Sequence, residues 1–307
     1  MGAKKRLVLS LDGGGIKGHA TSWFLYHLEN ALGKPICQVF DLISGTSAGG
    51  ITALQMGVLQ KTMPEIVKLN DYKTAKRIFN KKLKHKIPLY RRLKDEPKYD
   101  GMGKSQVLSE NFMDICMGNA PTHTMVTAIR EDGRQCEFES WNKDHEKILA
   151  ARAADITSAA PTFFPTVYEE NLGYHYIDGG VSVNDPVLLA VESALTLWPS
   201  DNIYILSVGT GWNIRGFKGK ESKGYGIFGW MMKGNLINLM QNRKDIQKYF
   251  RRRSGNRYLR VNSSLYHVND DMDDCSKKNI DNLKKLGYEW FRFYGTRSLK
   301  LINKALS

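Results

Sequence analysis

Closely spaced cysteines, long apolar runs and internal repeats are all missing from this 307-residue sequence. Its four cysteines, Cys37, Cys116, Cys136 and Cys275, are scattered, with no C-x-x-C pair and no dense framework. That spacing argues against a disulfide scaffold and for free thiols in a reducing compartment. No stretch approaches the roughly 20 apolar residues of a membrane span, so any membrane contact is expected to be peripheral. The basic start, Met1 to Arg6, leads only into Leu7 to Leu11, which is interrupted by Ser10 and ended by Asp12. This is too short for the core of a signal peptide. Lys5 and Arg6 stand where a myristoylation signal on Gly2 needs Ser or Thr. The expected location is cytoplasmic, with peripheral association to a membrane.

Acidic residues are also short: Asp+Glu is 31 against 45 for Lys+Arg, a net charge of +14. Such an excess favours polyanionic partners, nucleic acid or an anionic membrane surface, or serves as solubility charge spread over the surface. Part of it is concentrated. From Lys73 to Lys98, Lys73, Lys76, Arg77, Lys81, Lys82, Lys84, Lys86, Arg91, Arg92, Lys94 and Lys98 face only Asp95 and Glu96, which reads as an inserted basic loop or lid.

The apolar pattern supplies the fold. Arg6 to Leu11 reads as a buried strand, then a glycine-rich turn, then a helix from about Thr21 to Leu32 that ends at Gly33-Lys34-Pro35. Val39 to Ser44 reads as a second strand, followed by a turn and a helix from Ile51 to Leu59. Further strands are expected at Thr124 to Ile129, Glu137 to Trp141, Tyr174 to Ile177 and Ile203 to Val208. Helices are expected at Glu146 to Ser158, at Asp185 to Trp198 and from Lys277 onward. This alternation predicts an α/β layered fold with a mostly parallel sheet. Residues 1–215 read as a catalytic domain that includes the basic insertion at 73–98, and 216–307 as a C-terminal helical extension packed on it.

Two glycine-rich turns carry candidate chemistry. Gly45-Thr46-Ser47-Ala48-Gly49 is a G-x-S-x-G pattern between strand and helix, the setting of a nucleophile elbow. The alternative is a plain turn with Ser47 as an N-cap. Asp12-Gly13-Gly14-Gly15-Ile16-Lys17-Gly18 also joins strand to helix, and its exposed N–H groups suit an oxyanion hole. The same Gly13-x-Gly15-x-x-Gly18 spacing fits a dinucleotide fingerprint, with Asp41 inside the second strand as its acidic partner.

A nucleophilic serine needs a base. Of seven histidines, only His267 stands near a late strand, and with one strand before the elbow a Ser–acid–His order is a poor fit. Asp178, in Tyr176-Ile177-Asp178-Gly179-Gly180, sits at an expected strand end followed by two glycines, where it can accept the Ser47 proton directly. The alternative for Asp178 is a turn former. His175, three residues earlier, should face the other way. Asp270, Asp271, Asp273 and Asp274 lack the glycine and terminal Glu of a calcium loop and read as a solvated acidic turn.

In this order, Asp-Gly-Gly-Gly-Ile-Lys-Gly, Gly-Thr-Ser-Ala-Gly and Asp-Gly-Gly resemble the patatin-like phospholipase family. Ser158 to Pro165 and Leu206 to Gly211 are similar to it too. The resemblance implies a three-layer α/β/α fold and hydrolysis of lipid acyl esters by a Ser–Asp dyad without metal or organic cofactor. It implies Ser47 as nucleophile, Asp178 as proton acceptor and Gly13, Gly14 and Gly15 as oxyanion hole. Lys17, Gly18, Gly45, Gly49, Gly179 and Gly180 support these motifs. Lys17 stands where the family usually carries Arg, which would weaken any bidentate contact there.

The expected partners are an anionic phospholipid surface, a small nucleotide activator and a second copy of the chain, with no specific nucleic acid. Some bacterial members of the family are switched on by cyclic nucleotides. The run Arg243, Lys244, Lys248, Arg251, Arg252, Arg253, Arg257 and Arg260 is a candidate for that ligand. Trp230, Met231 and Met232 are candidates for an acyl pocket or for lipid contact. Two alternatives stand beside this reading: a nucleotide-binding protein built on the glycine loop, and an inactive lipid-binding scaffold.

Overall fold

The computed structural model describes residues 2–80, 96–213, 219–223, 248–250, 252 and 255–307. Trp230, Met231, Met232 and, of the two basic stretches, residues 81–95, 243–247, 251, 253 and 254 lie outside the described residues.

Among the described residues, eight strands form one sheet: β1 (Lys5–Leu11), β2 (Leu42–Gly45), β3 (His123–Arg130), β4 (Gln135–Glu139), β5 (Val167–Glu169), β6 (Tyr174–Asp178), β7 (Asn202–Val208) and β8 (Tyr258–Val261). Their order is β5-β6-β3-β2-β1-β7-β8, with β4 also paired to β3. The pairings from β3 through β2, β1 and β7 to β8 are parallel, and those of β3 with β4 and β6 and of β5 with β6 are antiparallel. Leu7 through Leu11 are all buried, as expected for a central parallel strand covered on both faces.

The pleat divides that run between two layers. Leu7, Leu9 and Leu11 pack with Phe24, Leu25 and Leu28 of α1 (Gly18–Leu32) and with Leu283, Trp290 and Ile302 of the long C-terminal helix. Val8 faces the other side, with Leu42, Met125 and Val187, Ala190 and Ala194. Helices therefore cover both faces, and each fully buried Leu contributes about 1.5–3 kcal/mol. The remaining α-helices among the described residues are α2 (Ala48–Gly57), α3 (Met63–Leu69), α4 (Tyr72–Ile78), α5 (Met102–Phe112), α6 (Ala150–Thr157), α7 (Val187–Leu197) and α8 (Lys277–Leu306), besides a single turn at Gly219–Ser222. Gly287 lets α8 lie against α1, because a Cβ there would come within 2.6 Å of the Ala20 carbonyl oxygen.

Three sequence expectations need correction. The second strand is Leu42–Gly45 and not Val39 to Ser44, because Ile36–Gln38 turns as a 3-10 helix. Asp41 therefore precedes the strand, and its carboxylate accepts from Leu7 N (2.8 Å) and Arg6 Nη1 (3.0 Å). The helix expected from Glu146 begins only at Ala150, since the Glu146 and Ile148 carbonyls accept from Gly118 N (3.0 Å) and Met117 N (2.8 Å) in a neighbouring turn. The C-terminal segment read as helical also supplies β8, whose Tyr258 and Val261 are buried while Leu259 and Arg260 pair with Leu206 and Ser207. Among the described residues, no helix is long and apolar enough to cross a membrane.

Candidate active site

Strand register alone brings the two glycine-rich turns together. Leu11 at the end of β1 is opposite Gly45 at the end of β2, so the turns after them emerge side by side. Ligands of open α/β sheets bind in crevices at such carboxyl ends. β3 then delivers the third motif. Met125 and Val126 pair with both β2 and β4, while Ala128 and Ile129 pair with both β4 and β6. β6 must therefore follow β2 along the same edge of β3, and Asp178, opposite Ala128, lands just past the end of β2.

Ser47 caps α2 with φ 55° and ψ −124°, in the left-handed half of backbone space that a residue with a side chain rarely occupies. Such strain persists only where neighbours enforce it. Here Ser47 N donates to Thr157 Oγ1 (3.1 Å), which in turn donates to the Thr127 carbonyl (2.7 Å). Gly49 is required for a different reason: a Cβ there would sit 2.5 Å from the Asp12 carbonyl oxygen. The first turn of α2 thus touches the glycine loop. Gly18, at the start of α1, in turn lies close to Ala48.

The Ser47 hydroxyl lies near enough to the Asp178 carboxylate to favour its ionised form. Asp178 N donates to the Ala159 carbonyl (3.0 Å), and Gly180 N donates to Asp178 Oδ1 (2.7 Å) across the turn made with Gly179. Burial raises the Asp178 carboxyl to about 6, while the nearby Ser47 hydroxyl, the bond from Gly180 N and the charge of Lys104 pull the other way. No histidine among the described residues hydrogen-bonds to Ser47. His175 and His267 are exposed, and His19 holds the Ile16 carbonyl through Nδ1 (3.0 Å).

The three loop glycines are not equivalent. Gly13 N donates to the Asn184 carbonyl (3.0 Å), while the Gly13 carbonyl accepts from Asn184 Nδ2 (3.1 Å) and Thr210 Oγ1 (2.8 Å). Gly13 is held at both ends of its peptide. The N–H groups of Gly14 and Gly15 carry no hydrogen bond among the described residues. The loop is braced from beneath by Arg260 of β8, which pairs with Asp12 and with Asp185 (3.3 Å) and donates to Ser207 Oγ (2.6 Å). Burial works against the Arg260 charge, but the two carboxylates outweigh it and raise its pKa. Lys17 is buried too; burial lowers its ammonium to about 8, against the opposing charges of Asp270 and Asp12.

Gly15 and Ser47 open on a cavity walled by Ile16, Ile51, Ile78, Phe79, Val107, Leu108, Phe163 and Phe164. Its polar lining includes His19, Gln55, Asn70, Lys104 and Ser158. This largely apolar space suits an acyl chain with its ester end at Ser47.

Sequence reasoning missed Thr157, Lys104 and Asn184, and saw Arg260 only as part of a basic run. Lys104 and Arg260 resemble any other basic residue in a basic chain, and only Asn184, shortly after Asp178-Gly179-Gly180, stood near a recognisable motif. Because Arg260 is buried in ion pairs and Arg257 donates to Asn202 Oδ1 (2.6 Å), these two are not part of an open basic cluster. The acidic turn at 270–274 is only partly solvated: the Asp273 side chain is 8% exposed and takes Lys98 and the Tyr99 hydroxyl (2.5 Å). Met272 O accepts from Ile16 N (2.9 Å), which ties that turn to the glycine loop. No group of three or more metal-binding side chains occurs among the described residues.

The sequence pattern of the patatin-like phospholipases matches residues 9–191, more than half of the chain. The chain belongs to the patatin-like phospholipase family. Its enzyme class is carboxylic ester hydrolase. It is 29% identical to patatin-like protein 2 of Oryza sativa subsp. indica, over 91% of this chain and 82% of that one. It is 30% identical to the cGAMP-activated phospholipase of Pseudomonas aeruginosa, over 83% of this chain and 77% of the other. Among solved structures, human GIVD cytosolic phospholipase A2 resembles it in fold, with a TM-score of 0.50 at 8% identity, over 98% of this chain and 60% of that chain.

Proposed function

We propose that this patatin-like chain hydrolyses fatty acyl esters of membrane lipids through Ser47 and Asp178. The observation that carries the reading is the juxtaposition of Ser47 and the Asp178 carboxylate, set by the pairing of β3 with β2 and β6, at the end of an apolar cavity. Asp178 takes the hydroxyl proton as Ser47 Oγ attacks the ester carbonyl. The free N–H groups of Gly14 and Gly15 stabilise the oxyanion, while Gly13 positions them, since its own N–H is engaged by Asn184. The alcohol leaves with the proton, and water releases the fatty acid by the same steps in reverse.

A dinucleotide site is disfavoured by the position of Asp41. It is bonded to Leu7, at the opposite end of β1 from the glycine loop, so it cannot face a ribose held there. The relative named as a cGAMP-activated phospholipase supports a cyclic dinucleotide as activator and a phospholipid bilayer as the site of action. The working location is then cytoplasmic, with peripheral contact to anionic lipid.

Fatty acid release from phospholipid vesicles, with and without added cyclic dinucleotide, tests the reading together with labelling by a fluorophosphonate. Wild type should be labelled at Ser47 and release fatty acid, and Ser47→Ala should do neither. Release at the wild-type rate by Ser47→Ala would overturn the assignment. Vesicle binding without labelling by the wild type would instead favour the inactive lipid-binding scaffold.

A further inference from the structure

Lys104 has no part in the chemistry above, yet it is buried beside it, on the wall of the same cavity as Ser47. An ammonium has three donors. Lys104 Nζ donates to the Asp155 carbonyl (2.9 Å) and Ser158 Oγ (3.1 Å) and forms an ion pair with Asp155 Oδ1 (2.9 Å), so the ammonium is directed at α6. Burying a lysine is costly, and a pair of this kind is weak evidence for stability alone.

What Lys104 holds is the exit of α6, and that short stretch supports both reacting residues. Thr157 Oγ1 accepts from Ser47 N, and the Ala159 carbonyl accepts from Asp178 N. Asp155, Thr157, Ser158 and Ala159 therefore connect one ammonium, the nucleophile and the base through single hydrogen bonds. Ser105, next to Lys104 on α5, adds a bond from Oγ to Asp155 Oδ2 (2.7 Å).

We propose that Lys104 is a positioning residue: by clamping the last turn of α6 it sets the approach of Ser47 to Asp178 and keeps a positive charge beside that carboxylate. The proposal rests on the Ser47–Asp178 reading. The elements packed around Asp178 bring Lys104 from α5 and Asp155 from α6. Arg130 of β3 stands opposite Tyr176, and Glu169 of β5 opposite Tyr174, farther along β6. Of these, Lys104 is the charge that acts on Asp178.

The test is steady-state hydrolysis of a soluble nitrophenyl ester by wild type, Ser47→Ala, Lys104→Met and the pair Lys104→Met/Asp155→Asn, with thermal melting to establish folding. Misplacing reacting groups by about 1 Å costs roughly 100-fold in rate, so kcat of folded Lys104→Met should fall on that order with KM little changed. The acid limb of its rate profile should move to higher pH, because Asp178 loses a nearby positive charge. If Lys104→Met fails to fold, the double variant, which leaves no unpaired charge, is read for the kcat loss. Wild-type kcat and acid limb in a folded Lys104 variant, or a rise in KM alone, would sink the inference while leaving the Ser47 reading standing. Wild-type turnover by Ser47→Ala would remove both.

Discussion

Two ion pairs are attached to α5, and they are nearly alike in length. Lys104 meets Asp155 at 2.9 Å, and Glu110 meets Arg77 at 2.7 Å. Their surroundings differ: the side chains of the first pair are 3% and 9% exposed, those of the second 44% and 49%. Water screens the second and lets it break at little cost. The first has been taken out of water, so its burial must be offset by the bonds it makes, and those bonds converge on the turn that holds Ser47 and Asp178. Distance alone does not rank interactions; burial and the identity of what lies behind each partner do.

The largest effect should come from the carboxylate that the buried side of α5 serves. Asp178→Asn removes the proposed base, and a general base is worth about 10²- to 10⁴-fold. Turnover should drop by that factor in a fatty acid release assay, while the melting temperature holds or rises. The sign follows from the raised carboxyl: its ionised form is disfavoured by the fold above about pH 6 and the cost is relieved as pH falls, so a neutral Asn removes it at every pH. A large drop in melting temperature with intact turnover would mean that Asp178 is a structural turn former.

Next comes a second buried charge, Arg260. Removing one partner of a buried pair typically costs about 3–5 kcal/mol. Arg260→Met should lower stability to denaturant by that amount, because Asp12 and Asp185 are left uncompensated beneath the glycine loop. A loss under 1 kcal/mol would show that water reaches this site and that the contrast with Arg77 is overstated.

A smaller effect is graded by pH. With Asp178 at about 6, wild-type kcat/KM should be flat above pH 7 and fall about tenfold per pH unit well below 6, since only the ionised form accepts a proton. A profile still flat at pH 4.5 would indicate that burial does not raise this group as the surrounding structure implies.

How much of this was readable beforehand follows the same divide between apolar and charged burial. Leu7 to Leu11, the helix that buries Phe24, Leu25 and Leu28, and the two turns around Gly15 and Ser47 announce themselves by run length, period and glycine. Apolar burial repeats in sequence, so the layered fold and the positions of Ser47 and Asp178 were legible. Lys104 and Arg260 were not, because a buried base is spelled with the same letters as an exposed one, and their carboxylate partners are far away in the chain. β8 was hidden for the same reason: its inward-facing Arg260 made a sheet strand look like part of a basic run. The sharing of β3 by β2 and β6, which sets Asp178 beside Ser47, is a matter of strand pairing that no local pattern displays.

The smallest effect is expected where α5 faces water. Arg77 makes two bonds to Glu110, from Nη1 at 2.8 Å and from Nη2 at 2.7 Å, a forked arrangement that looks as strong on paper as any in the molecule. Both partners are solvated, so on losing the pair each regains water at little cost, and added salt already weakens the attraction. Arg77→Ala should leave the melting temperature, kcat and the acid limb of the rate profile where they are, and raising ionic strength should not separate it from wild type. A clear loss of stability at low salt that vanishes at high salt would show that the fork is worth more than its exposure allows. In that case charge geometry, and not burial, would distinguish the two ends of α5.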